Sequence, residues 1–484
     1  MVQTVPDPRR WKALALLCGA FFMVILDSAI VVVALPSIET DLGFAPGDLQ
    51  WVLSAYALTV GGLLLLGGRS ADLLGRRRMF MVGLALFTVA SLLCGLAWSP
   101  AALIGARVFQ GVGAAILTPT ALSIVMTTFE EGAERNKALG IWGSLGGVGG
   151  TAGWLIGGPL TEVSWEWIFL INVPIGVAAL AVAPRLLRES RAVVRRRGFD
   201  PAGALSATAA LVMLVYAVVE APEAGWGDPQ TLGLLLGSAV LFGVFAVIEL
   251  RVAEPLLPLR ILRSWTLAGA NLTMLLFSTI AFGMPFILTL YAQQVLGYSA
   301  VKFGLTSIVF PVGAAVAAII GQSLVLKIGF RAVAATGITL LGLACLYLTQ
   351  VSAGGDYFGD IFVGLLLFGP GVGLTFVTCS IAALAGIPER DAGLASGLSN
   401  TSFQIGAAVG TAIVSTAAVS RSSDVIASGG DALGALVEGH QAGFLACVVL
   451  AGVALLSAVL LLRRPSTPAP DQPPLVPAGE HMRD

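Results

Sequence analysis

Charged residues are scarce in this sequence. Only 11% of the 484 residues are Asp, Glu, Lys or Arg, and 57% are hydrophobic, whereas a soluble domain carries roughly 25% charged residues. This charge is too little to cover the surface of a soluble protein, so the composition predicts a protein that crosses a membrane many times. The net charge of -1 also argues against a nucleic-acid partner, because nucleic-acid-binding proteins gather Lys and Arg on an exposed face.

Histidine and cysteine are rare as well. His440 and His481 are expected in a loop and in the C-terminal tail, so no span combines a histidine with acidic residues, as an intramembrane enzyme would need. The five cysteines lie in apolar runs without CxxC spacing, which favours apolar packing over a disulfide or zinc site. The sequence also lacks a GxxxxGK[ST] nucleotide-binding loop. We therefore predict no enzymatic activity, no metal, no cofactor and no use of ATP.

The apolar runs predict the number of membrane spans. A membrane helix needs about 20 mainly apolar residues to cross the hydrocarbon layer. Applied along the chain, this rule predicts an all-α membrane protein with fourteen transmembrane helices. Their approximate limits are 12–35, 49–68, 79–98, 101–125, 137–160, 165–184, 203–219, 231–250, 265–291, 301–325, 332–350, 358–385, 392–419 and 440–462.

Lys and Arg are concentrated in alternate loops. If the N-terminus is cytoplasmic, only Lys302 and Arg421 of the 27 basic residues fall in outer loops, and Arg107 alone lies deep within a span. Cytoplasmic loops of membrane proteins are enriched in Lys and Arg. One span more or fewer would destroy this asymmetry. The pattern therefore predicts a multi-pass protein with both termini in the cytoplasm.

The two halves of the chain share a repeated pattern of Gly, seven residues, Gly, one residue and Arg. Repeated halves around a central path are typical of secondary transporters. The repeat predicts two six-helix bundles with two further helices inserted between them. The pattern occurs at Gly67, Gly75 and Arg77 and again at Gly321, Gly329 and Arg331. The expected domains are a cytoplasmic N-terminus (1–11), an N-terminal bundle (12–184), a segment with cytoplasmic linkers and the two inserted helices (185–264), a C-terminal bundle (265–462) and a disordered tail (463–484).

Two opposite charges are expected at similar depth. Asp27 lies about 22 Å and Arg107 about 20 Å from the inner face, at 1.5 Å per residue and a core of about 30 Å. Charge at this depth is costly and commonly marks a proton or substrate pathway. We expect the two residues to pair and Asp27 to exchange a proton for substrate; a static pair that fixes helix register is the alternative.

Other polar residues are weaker candidates to line the transport path. The acids Glu166 and Glu220 are near outer helix ends, where they are also expected to reach water. The amides are equally suited to join helices by hydrogen bonds. The candidate path residues are Gln110, Glu166, Asn172, Glu220, Asn271 and Gln293.

Glycines spaced four apart mark the fifth span. Gly149, Gly153 and Gly157 form one stripe, and small residues at this spacing let helices approach closely in lipid. Gly158 and Pro159 follow directly. This stripe predicts a tight helix-packing surface.

The segment Gly68-x-x-x-Asp72-x-x-Gly75-Arg76-Arg77 resembles the inter-helix signature of the major facilitator superfamily. On the residues alone, it is either a topology signal with a tight turn or an ion-pair network that gates transport; the resemblance favours gating. The usual Arg after Asp72 is Leu73 here.

Further motifs resemble the fourteen-helix drug:proton antiporter branch of that superfamily. They are Leu26 to Ser28 with Ala34 to Pro36, Arg107 with Gln110 and Gly111, the glycine-rich fifth span, and Trp165 to Gly176. In the fifth span, Trp154 stands where the family usually has proline.

This resemblance implies a plasma-membrane exporter of amphipathic drugs or antibiotics, driven by the proton gradient. Its expected partners are a small amphipathic substrate, protons and membrane lipid. The alternative is proton-coupled solute uptake by the same fold, because the residues by themselves do not separate the two directions of transport.

Overall fold

The computed structural model describes residues 8–45, 47–129, 133–190, 200–225, 227–252, 264–385, 387 and 389–462. The described part of the chain forms fourteen long helices and contains no β-strand. They are α1 (Arg10–Leu42), α2 (Trp51–Leu74), α3 (Arg76–Gly95), α4 (Pro100–Thr128), α5 (Ala133–Val163), α6 (Trp167–Leu186), α7 (Pro201–Ala224), α8 (Pro229–Arg251), α9 (Trp265–Val295), α10 (Ala300–Ile328), α11 (Phe330–Leu348), α12 (Tyr357–Leu384), α13 (Glu389–Ala427) and α14 (Ala432–Leu461).

The predicted fold class is confirmed. Within the described residues, 11 helices are long and apolar enough to cross a membrane. The other three, α2, α5 and α7, are 24, 31 and 24 residues long, which at 1.5 Å per residue exceeds about 30 Å. The predicted tail (463–484), most of the N-terminal segment (1–11) and much of the linkers (191–199 and 253–263) lie outside the described ranges, so the domain limits stay predictions.

Equivalent helices of the two halves pack in the same way. In the first half α1 packs on α5 and α4 packs on both α2 and α3; in the second half α9 packs on α13 and α12 packs on both α10 and α11. The turns after α2 and α10 are also alike, since Gly75 and Gly329 have φ of 110° and 85°. Only glycine adopts such angles readily, which explains the repeated glycine.

The inserted helices form a hairpin on one side of the two bundles. Helices α7 and α8 pack against each other, and α7 also contacts α2 and α13, with the Thr208 hydroxyl donating to the Gly62 carbonyl (3.1 Å). The outer surface of α8 is apolar, with Leu236 and Leu250 67% and 72% exposed. Such a surface is suited to lipid.

Two local expectations were wrong. The predicted limits 49–68 and 79–98 leave the signature segment after Gly68 in a loop between two helices, but α2 continues to Leu74 and only Gly75 is non-helical. His440 is not in a loop either: α14 begins at Ala432, and His440 is buried within it. In both cases the helix extends beyond the apolar run from which its limit was predicted. His481 lies beyond the described residues. The five cysteines are buried, as their apolar surroundings predict.

The two halves contact each other on the side opposite the basic loops. The Gln294 amide donates to the Glu39 carboxylate (2.7 Å), and the Gln293 amide donates to the Val33 carbonyl (2.8 Å). Both amides lie in a π-helical turn at the end of α9, and such turns reorient side chains within a helix. We call this side of the molecule the closed side.

Candidate functional site

Asp27 of α1 and Arg107 of α4 form a fully buried ion pair. Arg107 Nη1 lies 2.6 Å from Asp27 Oδ2, and both side chains are 0% exposed. Asp27 and Arg107, which the sequence places at similar depths in the membrane, therefore form one site. Arg107 Nε also donates to the Val52 carbonyl of α2 (2.9 Å), which fixes the plane of the guanidinium.

Two amides complete the coordination of Asp27. Gln110, one turn after Arg107 on α4, donates from Nε2 to Asp27 Oδ1 (2.8 Å). Asn172 of α6 donates to the same oxygen (3.0 Å). Helix α6 is interrupted at Ile171, and Asn172 begins its second segment. The Asp27 carboxylate of α1 thus accepts hydrogen bonds from side chains on two other helices, α4 and α6.

Gln110 has a fixed orientation. Its Oε1 accepts from Arg107 Nη1 (2.6 Å), and its Nε2 also donates to the Ser91 hydroxyl of α3 (2.9 Å). The carbonyl therefore faces the cation and the amide nitrogen faces the anion. This network satisfies much of the hydrogen-bonding capacity of the buried pair, and such satisfaction is needed to offset the several kcal/mol that desolvation costs each ion.

Aromatic rings enclose the guanidinium. The Arg107 Cζ lies 4.2 Å from the centre of the Tyr56 ring and 5.7 Å from that of Phe169. Ring faces attract cations, most strongly where water is excluded. The positive charge is therefore stabilised by Asp27 on one edge and by π-systems on its faces.

A small cavity adjoins the ion pair at the interface between the halves. Its volume is about 20 Å³. Ser28, Leu53, Tyr56, Ala57 and Arg107 line it from the first half, and Phe282, Gln404 and Ala407 line it from the second. It therefore connects the ion pair of one half with α9 and α13 of the other.

This arrangement is suited to binding and releasing a proton. A carboxyl group held by one cation and two amides can lose or gain one partner when the helices move, because its donors come from α4 and α6. Ionisable groups inside a membrane commonly serve as proton carriers. The coupling function of Asp27 and Arg107 stays a prediction.

The other four predicted path residues lie elsewhere. Glu166 is in the turn before α6, where it accepts from the Ser164 hydroxyl. Glu220 is near the end of the inserted helix α7.

Asn271 joins α9 to α13 by accepting hydrogen bonds from the Ser399 and Ser402 hydroxyls (3.3 and 3.2 Å). Gln293 joins the two halves, as described above. The amides thus act here as interhelical hydrogen-bond donors and acceptors.

The turn at Gly75 is held by Glu189, which follows α6. The Glu189 carboxylate accepts from the backbone N–H groups of Arg77 and Arg78 (3.2 and 3.3 Å) at the start of α3. A carboxylate is favourable there because helix N-termini are electropositive. A Cβ on Gly75 would lie 2.6 Å from Glu189 Oε1.

The other members of the signature lie on either side of this turn. Gly68 is on α2, where a Cβ would meet Pro119 of α4 at 3.4 Å. The Arg76 backbone N–H donates to the Ser190 carbonyl (3.0 Å). Asp72 belongs to the last turns of α2, but its side chain lies outside the described part of the structure. The gating function of the signature stays a prediction.

The glycine stripe of α5 packs tightly, as its spacing predicts. A Cβ on Gly149 or Gly153 would lie 2.8 Å from Ile25 or 2.6 Å from Ala29 of α1, and one on Gly157 would lie 3.0 Å from Ile30. Gly158 faces the other half, since its Cβ would lie 2.6 Å from the Val301 Cα of α10. Pro159 follows inside the helix with its side chain exposed.

Sequence reasoning missed several members of the site. Ser91, Tyr56 and Glu189 have side chains that membrane helices and loops commonly contain, and no spacing singles them out. Gln404 and Phe282 are 122 residues apart and share the cavity only because α9 packs on α13. Their proximity depends on helix packing.

A protein-family comparison matches most of the chain. Residues 17–411 match the model described as Major Facilitator Superfamily.

Two curated relatives are export or resistance proteins. A puromycin resistance protein of Streptomyces alboniger is 38% identical over 469 residues, covering 94% of this chain and 91% of that protein. A cephamycin export protein of Amycolatopsis lactamdurans is 41% identical over 411 residues, covering 84% of each.

A solved structure has the same fold. It is a bacterial homologue of the human lysosomal transporter Spinster in an inward-facing, occupied conformation, with a TM-score of 0.69 and 16% identity over 96% of this chain and all of that one.

Proposed function

This chain belongs to the Major Facilitator Superfamily, and from that premise we propose that it exports amphipathic drugs or antibiotics across the plasma membrane in exchange for protons. Substrate would cross by alternating access, in which the two halves open in turn to each side of the membrane. The chain would act as a transporter and not as an enzyme, with the proton gradient as its energy source and membrane lipid as its solvent.

Similarity to named export proteins is the observation that carries this proposal. Two relatives, described as proteins of puromycin resistance and cephamycin export, match this chain over 94% and 84% of its length at 38% and 41% identity. The family match over residues 17–411 includes both Asp27 of α1 and Arg107 of α4. The buried pair supports proton coupling because a titratable group inside the membrane is a suitable proton carrier.

The closed side supports alternating access. Contacts between the halves join α1 to α9, α2 to α13 and α5 to α10. With both termini cytoplasmic, as the distribution of Lys and Arg predicts, this side faces outward. The structure would then represent a state closed to the outside, from which substrate is taken up on the cytoplasmic side.

Drug accumulation in cells tests the proposed direction of transport. The chain is expressed in a pump-deficient bacterium, and accumulation of puromycin, a cephamycin and ethidium is measured with and without a protonophore. We expect at least one compound to accumulate less, and the protonophore to restore its accumulation. Proton-dependent increased accumulation would instead establish uptake, and unchanged accumulation of all compounds would contradict drug export. An Asp27→Asn variant is the matched control, with accumulation normalised to the folded protein in the membrane.

A further inference from the structure

One nitrogen of the buried arginine has no hydrogen-bond partner in the part of the chain that the structure describes. Arg107 uses Nε for Val52 and Nη1 for Asp27 and Gln110, but Nη2 has no acceptor among the described residues. Arg107 is 0% exposed. Native structures rarely leave a buried polar group unsatisfied, and the penalty is greatest for a charged group. A buried, charged donor of this kind favours a further acceptor, either a water molecule or an oxygen atom of a ligand.

The cavity beside Arg107 has the size and lining for a single oxygen atom. Its volume of about 20 Å³ exceeds the roughly 10–15 Å³ that one water-sized probe requires. Leu53, Ala57 and Ala407 make much of the lining apolar, and Phe282 adds a ring from the other half. Ser28, Tyr56 and Gln404 add polar groups to the lining. A single carbonyl oxygen fits beside the Arg107 donor, and the apolar body of the ligand would lie between the two halves, which must separate to admit it.

The charge of the guanidinium restricts the ligand further. Arg107 lines the cavity whereas Asp27 does not, so a cation in the cavity would lie closer to the guanidinium than to the carboxylate and would be repelled. An anion would compete with Asp27 for the guanidinium, so that Asp27 would gain a proton as the anion bound, and substrate and proton would then bind together. In an exchange of substrate for protons, substrate binding must instead favour release of the proton from Asp27. A neutral acceptor can use Nη2 and leave the 2.6 Å contact between Nη1 and Asp27 intact.

We propose that the exported substrates are amphipathic molecules that present a neutral carbonyl oxygen to Arg107 Nη2 in this cavity. This inference rests on the proposed export function and specifies its substrate class. Tyr56 stacks below the guanidinium, and Phe282, Gln404 and Ala407 close the site from the second half. The substrate would thus contact both halves and the proton site at once.

Binding of four tricyclic aromatic probes to the purified full chain tests the proposal. Fluorenone carries a neutral carbonyl, fluorene lacks it, 9-fluorenecarboxylate is an anion and 10-methylacridinium is a cation. Because a hydrogen bond to a charged group contributes about 1.5–3 kcal/mol, we expect fluorenone to bind at least about tenfold more tightly than fluorene. Equal affinities, or tighter binding of the anion or the cation, would overturn the proposal.

Variants locate the binding site. Ala407→Val adds two methyl groups to the cavity without touching Asp27, and it should abolish the preference for fluorenone over fluorene. Ala57→Val provides the same test from the first half if the first variant folds poorly. Ala239→Val, at an exposed position of α8, is the matched control and should keep the preference. A preference that persists in both cavity variants would overturn this assignment.

This experiment is independent of the export assay. Binding is measured without transport, so a protein that prefers fluorenone but lowers no drug accumulation would contradict the proposed direction of transport and leave the carbonyl site intact. A protein that exports drugs but binds fluorenone and fluorene equally would contradict only the carbonyl site.

Discussion

At the scale of single residues, Asp27 depends on donors from two other helices. Arg107 and Gln110 come from α4 and Asn172 comes from α6. A side chain with so many partners affects both stability and proton exchange when it is changed. The two effects can be separated because the loss of stability depends on the unpaired charge of Arg107, whereas the loss of proton exchange does not.

We expect Asp27→Asn to abolish substrate-dependent proton movement and also to destabilise the protein. The amide cannot carry the proton, and it leaves the Arg107 cation buried without its counter-ion, which costs about 3–5 kcal/mol. Proton movement is measured with a pH-sensitive dye in proteoliposomes, and stability by thermal unfolding in detergent.

The double variant Asp27→Asn/Arg107→Gln is the control for stability. It removes both charges, so it should recover much of the lost stability but none of the proton exchange. Undiminished proton exchange in the single variant would exclude Asp27 as the proton carrier.

At the scale of elements, the turn between α2 and α3 combines an unusual backbone with a close side chain. Gly75 has a φ of 110°, and its missing Cβ leaves space for the Glu189 carboxylate. Gly429 provides a comparison, because it has a φ of 88° and no described atom within 4 Å of where a Cβ would lie.

We expect Gly75→Ala to impair transport more than Gly429→Ala. Both substitutions add backbone strain of about 1–3 kcal/mol, but only the first displaces Glu189 from the start of α3. Transport rate, normalised to folded protein in the membrane, is the measurement. Equal transport by both variants would mean that the Gly75 turn has no gating function and that its basic residues only set the orientation of the helices in the membrane.

At the scale of the whole molecule, Gly158 lies where the halves meet on the closed side. A Cβ there would lie 2.6 Å from the Val301 Cα and 2.7 Å from the Ala300 carbonyl oxygen. Both atoms belong to the backbone of α10, so a side chain could be accommodated only by separating the halves.

Gly158→Ala should therefore shift the protein away from the closed-side state. Distances between spin labels on α1 and α9 should increase on that side. Gly150→Ala on the same helix is the control, since no described atom lies within 4 Å of its Cβ position, and it should leave the distances unchanged. An unchanged distance in Gly158→Ala would mean that this contact does not limit opening.

The membrane crossing of the two inserted helices can be tested together with the orientation that the Lys and Arg distribution predicts. Reporter fusions at Arg197 and Arg263 should both be cytoplasmic, whereas a fusion at Asp228, between α7 and α8, should be external. A cytoplasmic signal at Asp228 would contradict the membrane crossing of α7 and α8 and the predicted orientation.

The sequence by itself determined the class of this protein, its fourteen helices, the repeat and the common depth of Asp27 and Arg107. These features depend on local hydropathy and on the fixed rise of a helix through a layer of fixed thickness, so they can be read along the chain. The tertiary structure alone decided which polar residues meet. Gln110 and Asn172 contact Asp27 whereas Asn271 and Gln293 join helices, because rotation and crossing of packed helices set those contacts and neither is encoded in the length or hydropathy of a single span.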